Sequence, residues 1–69
     1  MNTVVTSREF EVLHLVAHEK TNKEIAQSLF ISPHTVISHR KNLMIKLDVK
    51  NTAGMIRRAF EVGLFKTTL

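Results

Sequence analysis

The sequence predicts an all-α fold, a four-helix domain with a helix-turn-helix at its centre. Three observations carry this. Apolar residues recur at helical spacing, and no long alternation of apolar and polar residues marks a strand. Helix-start signals punctuate the chain: Thr6 with Glu9, Thr21 with Glu24, and Ser32 followed by Pro33. Gly and Pro are scarce, two and one respectively, while strong helix formers are common.

The first helix, about 7–18, starts after Thr6, where Thr6 and Glu9 have capping-box spacing. Glu9 also suits the positive end of the helix dipole. Val12, Leu13, Val16 and Ala17 form a buried stripe, with Phe10 and Leu15 on its edges. The second helix, 22–29, starts after Thr21 and turns Ile25, Ala26 and Leu29 inward. Ala26 is small, as a close helix crossing needs. The turn is Phe30–Ile31–Ser32. Such turns often use Gly for a left-handed residue, and Phe30 is the candidate to take that conformation, at some cost.

The third helix, 33–47, is capped by Ser32 and begins with Pro33, whose missing N–H would have no helical partner anyway. At about 100° per residue, Val36, Leu43 and Leu47 share a narrow arc. His34, Ile37, Ser38, Lys41 and Ile45 cluster on the opposite side. Arg40 lies beside the buried seam, so its stem is expected to pack while its head reaches out. The fourth helix, 52–62, is capped by Asn51 or Thr52 and stopped by Gly63. Met55, Ile56, Ala59, Phe60 and Val62 are too many for one stripe, which points to a symmetric partner helix. The bland alternative is that a small core needs them all. Leu64 and Phe65 are expected to fold back on the core, and Lys66 to Leu69 to fray.

With 69 residues the chain suffices for one small domain, 1–69. The absence of Cys excludes disulfides, thiolate metal sites, iron–sulfur clusters and thiol nucleophiles. It fits a cytoplasmic protein. No apolar run approaches the length of a membrane span, and Met1 to Thr6 is too short and uncharged for a signal peptide. Charge is lopsided. Residues 1–29 carry three cations and four carboxylates, and residues 30–69 carry seven cations and two carboxylates. A net of −1 beside a net of +5 suggests one surface that faces a polyanion, although a merely soluble basic domain would read the same way.

These residues also resemble a known family. Thr6-Ser7-Arg8-Glu9, Glu11-Val12-Leu13 and Thr21-Asn22-Lys23-Glu24-Ile25-Ala26 match the LuxR-type (GerE-like) DNA-binding domain of bacterial transcription regulators. So do Leu29, Ile31-Ser32, Thr35-Val36, His39, Asn42-Leu43, Lys46-Leu47, Val49, Ala59 and Gly63-Leu64. The match runs without a gap over roughly 4–65, far more specific than an isolated helix-turn-helix. The resemblance implies that the third helix enters the major groove and that the fourth pairs two subunits on DNA. It implies a C-terminal output domain, following a receiver or small-ligand sensor domain that this chain lacks. An excised output domain is favoured over a stand-alone regulator. Two departures stand out. Ile37 occupies a position that is often Lys or Arg in the family. On the fourth helix, Val62 carries no charge before Gly63, and Gly54 is expected to weaken the first turn and with it the pairing.

On that reading the partner is double-stranded DNA, bound by a homodimer. Lys41 is the first candidate for base contact, since an ammonium can reach guanine O6 and N7. Ser38, Ile37 (suited to a thymine methyl) and His34 follow. Phosphate contacts are assigned to Thr35, Lys46, Arg40 and Lys23, helped by the open N-terminus of the third helix. Val62, Ala59, Met55 and Arg58 are the dimerisation candidates. An outward Lys is usually just solvated. The motif around Lys41 and the exposed Ile37 and Ile45 beside it favour a contact surface. His39 reads as a packed histidine.

Other classes fit less well. His14 and His18 have metal-ligand spacing, but Leu15 stands where HExxH needs Glu, and no third ligand is near in sequence. No metal, cofactor or catalytic constellation is called for, so an enzyme is not expected. RNA recognition lacks a stacking platform, with Tyr and Trp absent. The alternative is a protein-interaction module that pairs with another regulator through helix 52–62.

Overall fold

The computed structural model describes residues 4–65. It contains four helices, α1 (Ser7–Ala17), α2 (Asn22–Leu29), α3 (Pro33–Leu47) and α4 (Thr52–Glu61), and no strand among the described residues. The expected all-α helix-turn-helix architecture is therefore observed. Helix starts fall where the local chemistry places them. The Thr6 hydroxyl accepts from the Glu9 N–H at 3.1 Å, and the Thr6 N–H donates to Glu9 Oε1 at 2.9 Å. Thr21 and Glu24 repeat this reciprocal pair. Ser32 Oγ accepts from the Thr35 N–H, and Asn51 Oδ1 from the Gly54 N–H. Each cap satisfies a donor that the first helical turn leaves open.

Helix ends differ slightly from expectation. His18 and Val62 are the caps after α1 and α4 rather than their last turns. Gly63, at φ 82°, supplies the expected stop. Phe30 does take the left-handed conformation, at φ 57° and ψ 43°. Glu19 and Asp48 do likewise, at φ 62° and 56°, and no sequence feature singled them out. The reversed backbone lets the Ile31 N–H reach the Ala26 carbonyl and the Val49 N–H reach the Met44 carbonyl, which closes the ends of α2 and α3.

The core is one cluster drawn from all four helices: Val12, Leu13 and Val16 of α1, Ile25 and Ala26 of α2, Val36, Leu43 and Leu47 of α3, and Met55 and Ala59 of α4. Phe65 and Leu64 fold back against it, as expected; Lys66 to Leu69 lie outside the described residues. α3 is the central element and packs on the other three. α1 also touches α2 and α4, while α2 and α4 do not pack on each other. Gly54 has a role that propensity alone hides. A Cβ there would sit 3.3 Å from Val49 Cβ, so its absence lets the first turn of α4 lie close to the preceding loop.

Met55 and Ala59 correct the reading of α4. Both are fully buried inside their own protomer, so neither offers a surface to a partner. The core absorbs much of the apolar excess of α4, because a domain this small draws on every helix to close its interior.

Candidate nucleic-acid interface

The surface of α3 has two kinds of cationic and polar group. His34, Ile37, Ser38, Lys41 and Ile45 are all exposed on one face, and Ile45 is 76% exposed. Lys41 makes no hydrogen bond or ion pair among the described residues. This face therefore combines a free ammonium, a hydroxyl, an imidazole and two branched apolar groups, with no internal use for any of them. Ser32 Oγ and Thr35 Oγ1 lie 2.9 Å apart at its N-terminal end. Lys23, in the first turn of α2, is exposed and has no partner among the described residues.

Arg40 and Lys46 are placed differently from expectation. The Arg40 head does not simply reach outward. Its Nη1 donates to Asn22 Oδ1 at 3.1 Å and its Nη2 to Thr52 Oγ1 at 2.8 Å. Lys46 Nζ donates to Glu9 Oε1 at 2.7 Å and to the Val4 carbonyl at 3.0 Å. Glu9 is only 4% exposed, so this is a half-buried ion pair between α3 and α1. Burial alone would push the Glu9 pKa up. The Lys46 hydrogen bond, the Thr6 backbone N–H and the Lys46 charge outweigh it and hold the carboxyl below the ordinary glutamate value. Sequence reading missed this pair because its members lie 37 residues apart.

On α4, Arg58 Nε donates to the Leu47 carbonyl at 3.1 Å, and its Nη1 lies 3.5 Å from Glu61 Oε1. Val62 is exposed and, with Arg58, Leu47 and Leu64, lines an open groove at the C-terminal end of α3. Of the four dimerisation candidates, only Arg58 and Val62 are thus accessible. His14 and His18 sit at the α1 edge, with ring centroids 4.4 Å apart and His18 Nδ1 on the His14 carbonyl. No group of three potential metal ligands gathers there or elsewhere among the described residues. No helix of the described residues is long and apolar enough to cross a membrane.

A capped second helix with an open, basic outer face, set across a first helix by a tight turn, defines a helix-turn-helix DNA-binding domain. The chain belongs to the luxR family of bacterial regulatory proteins, whose family model matches residues 3–59. It is 48% identical over 60 residues to the uncharacterized response regulatory protein YgeK of Escherichia coli, covering 87% of this chain and 41% of that one. It is 48% identical over 62 residues to the transcriptional regulatory protein DesR of Bacillus subtilis, covering 90% and 31%. The chain thus spans well under half the length of these relatives. The spore germination protein GerE of Bacillus subtilis is of similar size: 43% identity over 60 residues covers 87% of this chain and 81% of GerE. Two solved structures agree in fold. The response regulator ChrA of a heme-sensing two-component system superimposes with a TM-score of 0.88 at 31% identity, over 94% of this chain and 32% of ChrA. GerE superimposes with a TM-score of 0.82 at 30% identity, over 91% and 92%.

Proposed function

We propose that this transcription-regulatory domain reads double-stranded DNA as a cytoplasmic homodimer, with α3 of each copy in a major groove of one half-site. The observation that carries the reading is the α3 face without internal partners. Lys41 is its first base reader, through guanine O6 and N7, followed by Ser38, Ile37 and His34. Ile37 favours a thymine methyl where a cation would favour guanine or phosphate. Thr35 and Lys23 contact phosphates, together with the open N-terminus of α3. Lys46 and Arg40 act within the fold rather than on phosphate, since both heads already have protein partners. Two copies pair at the exposed end of α4 through Val62, beside the solvent-facing part of Arg58, whose guanidinium is held on the Leu47 carbonyl. An upstream receiver or ligand-sensing domain, as the names of the response-regulator relatives suggest, controls that pairing.

Selection from a randomised duplex library at two salt concentrations tests this. An enriched motif with two half-sites is expected. Salt-sensitive binding without enrichment would reduce the domain to a generic polycation binder. Val62→Asp tests the pairing surface. Because Val62 is exposed, its stability is expected to change by about 0.5 kcal/mol or less. Binding to two half-sites should fall while binding to one half-site persists. Loss of helical circular dichroism would instead place Val62 in the core.

A further inference from the structure

Arg40 joins two helices that do not otherwise meet. α2 and α4 do not pack on each other, yet one guanidinium on α3 bonds the first residue of each, Asn22 and Thr52. The planar fork of Arg can hold two acceptors at a fixed angle, which the single ammonium of Lys cannot. α4 otherwise rests on the core through its Met55 and Ala59 stripe, and apolar contact is non-directional. A second strut, Arg58 to the Leu47 carbonyl, ties its C-terminal half to the end of α3. With one strut a helix can pivot on its apolar stripe. With a strut at each end its angle is fixed.

We infer that Arg40 is a positioning residue: it locks the angle between the reading pair α2–α3 and the pairing helix α4, and so sets the half-site spacing that a dimer accepts. The inference rests on the DNA reading proposed above. Half-sites one helical turn apart place the two α3 helices roughly 34 Å from each other. With the pairing helices midway, each α3 lies about 17 Å from the pivot, so a pivot of about 10° in both copies changes the α3 separation by about 6 Å in sum, on the order of two base pairs. Small slack at Arg40 therefore becomes a large error at the far half-site, whereas a single half-site does not sense it.

The test compares wild type, Arg40→Lys, Arg40→Ala and Thr52→Val on duplexes carrying one selected half-site, or two at the selected spacing and at one or two base pairs more or less. Thr52→Val keeps the Arg40 charge and removes one end of the strut, and Thr52 is not the α4 cap. All three variants should weaken binding at the selected spacing by about three- to tenfold, as expected for coupled groups, and flatten the spacing preference. One-half-site affinity and the slope of affinity against salt should stay near wild type. The contrary pattern is unchanged spacing preference in Thr52→Val, with a salt slope lower by about one phosphate in Arg40→Ala. That would make Arg40 a phosphate ligand and overturn the inference. If Arg40→Ala fails to fold, Thr52→Val alone decides. Failure of the wild type on every duplex would refute the DNA reading itself, and the inference with it.

Discussion

Lys41 and Lys46 lie five residues apart on one helix and have opposite situations. Lys41 stands free on the outer face of α3, with Ile37 and Ile45 exposed beside it. Lys46 is half-buried against the carboxylate of Glu9 and the carbonyl of Val4. Both are cations near the polar side of an amphipathic helix, and on a helical wheel both are candidates for DNA. The difference is made by what another helix places opposite them. α1 brings a buried carboxylate to Lys46, whereas no described residue bonds the exposed Lys41. A basic helix should therefore be read by its unpaired cations rather than by its total charge.

The largest expected effect is at the free lysine. Lys41→Ala should cost about 1–3 kcal/mol of discrimination at one base pair, with the thermal midpoint unchanged. Competition titrations on single-substitution operators measure this. Equal loss on every sequence would remove Lys41 from the base readers and weaken the contrast.

Lys46→Ala should show the reverse. It leaves the Glu9 carboxylate largely buried with Thr6 as its remaining partner among the described residues, and the exposed side of the pair limits the loss to about 1–2 kcal/mol. For a domain of this size that lowers the thermal midpoint by about 4–8 °C per kcal/mol. An unchanged midpoint, together with a reduced salt slope, would return Lys46 to the phosphate contacts.

The pH dependence sharpens the same point. The folded pKa of Glu9 lies below its ordinary value of 4.5, so below that pH the unfolded chain binds the proton more readily. The stabilisation is complete above 4.5 and is lost as pH falls through the folded pKa. Lys46→Ala should flatten this acid limb of a denaturation series, whereas Lys41→Ala should leave its shape unchanged.

The smallest effect is expected at Phe30. It is 94% exposed in left-handed backbone, so it contributes little packing to offset the conformational cost. Phe30→Asn, which tolerates that conformation, should stabilise by about 0.5 kcal/mol in chemical denaturation. Destabilisation would reveal a packing role for the ring.

The helices themselves were legible in the chain. Thr6, Thr21, Ser32 and Asn51 start them because a cap joins a side chain to a backbone N–H no more than three residues away. The buried seam of α3 and its outer face also follow from helical period alone. Gly54 was legible only as a weak helix former. Its close approach to Val49 depends on how α4 returns to α3.

Local chemistry along the chain accounts for four capped helices, their order, and which face of each is apolar. The helical period also groups His34, Ile37, Ser38, Lys41 and Ile45 on one side of α3, opposite its buried seam. Tertiary structure alone decided which polar groups on the flanks stay free. Arg40 meets Asn22 and Thr52 across 18 and 12 residues, Lys46 meets Glu9 across 37, and Met55 and Ala59 turn inward. Such partners are set by how helices cross, and no periodicity along one helix encodes what stands opposite it on another.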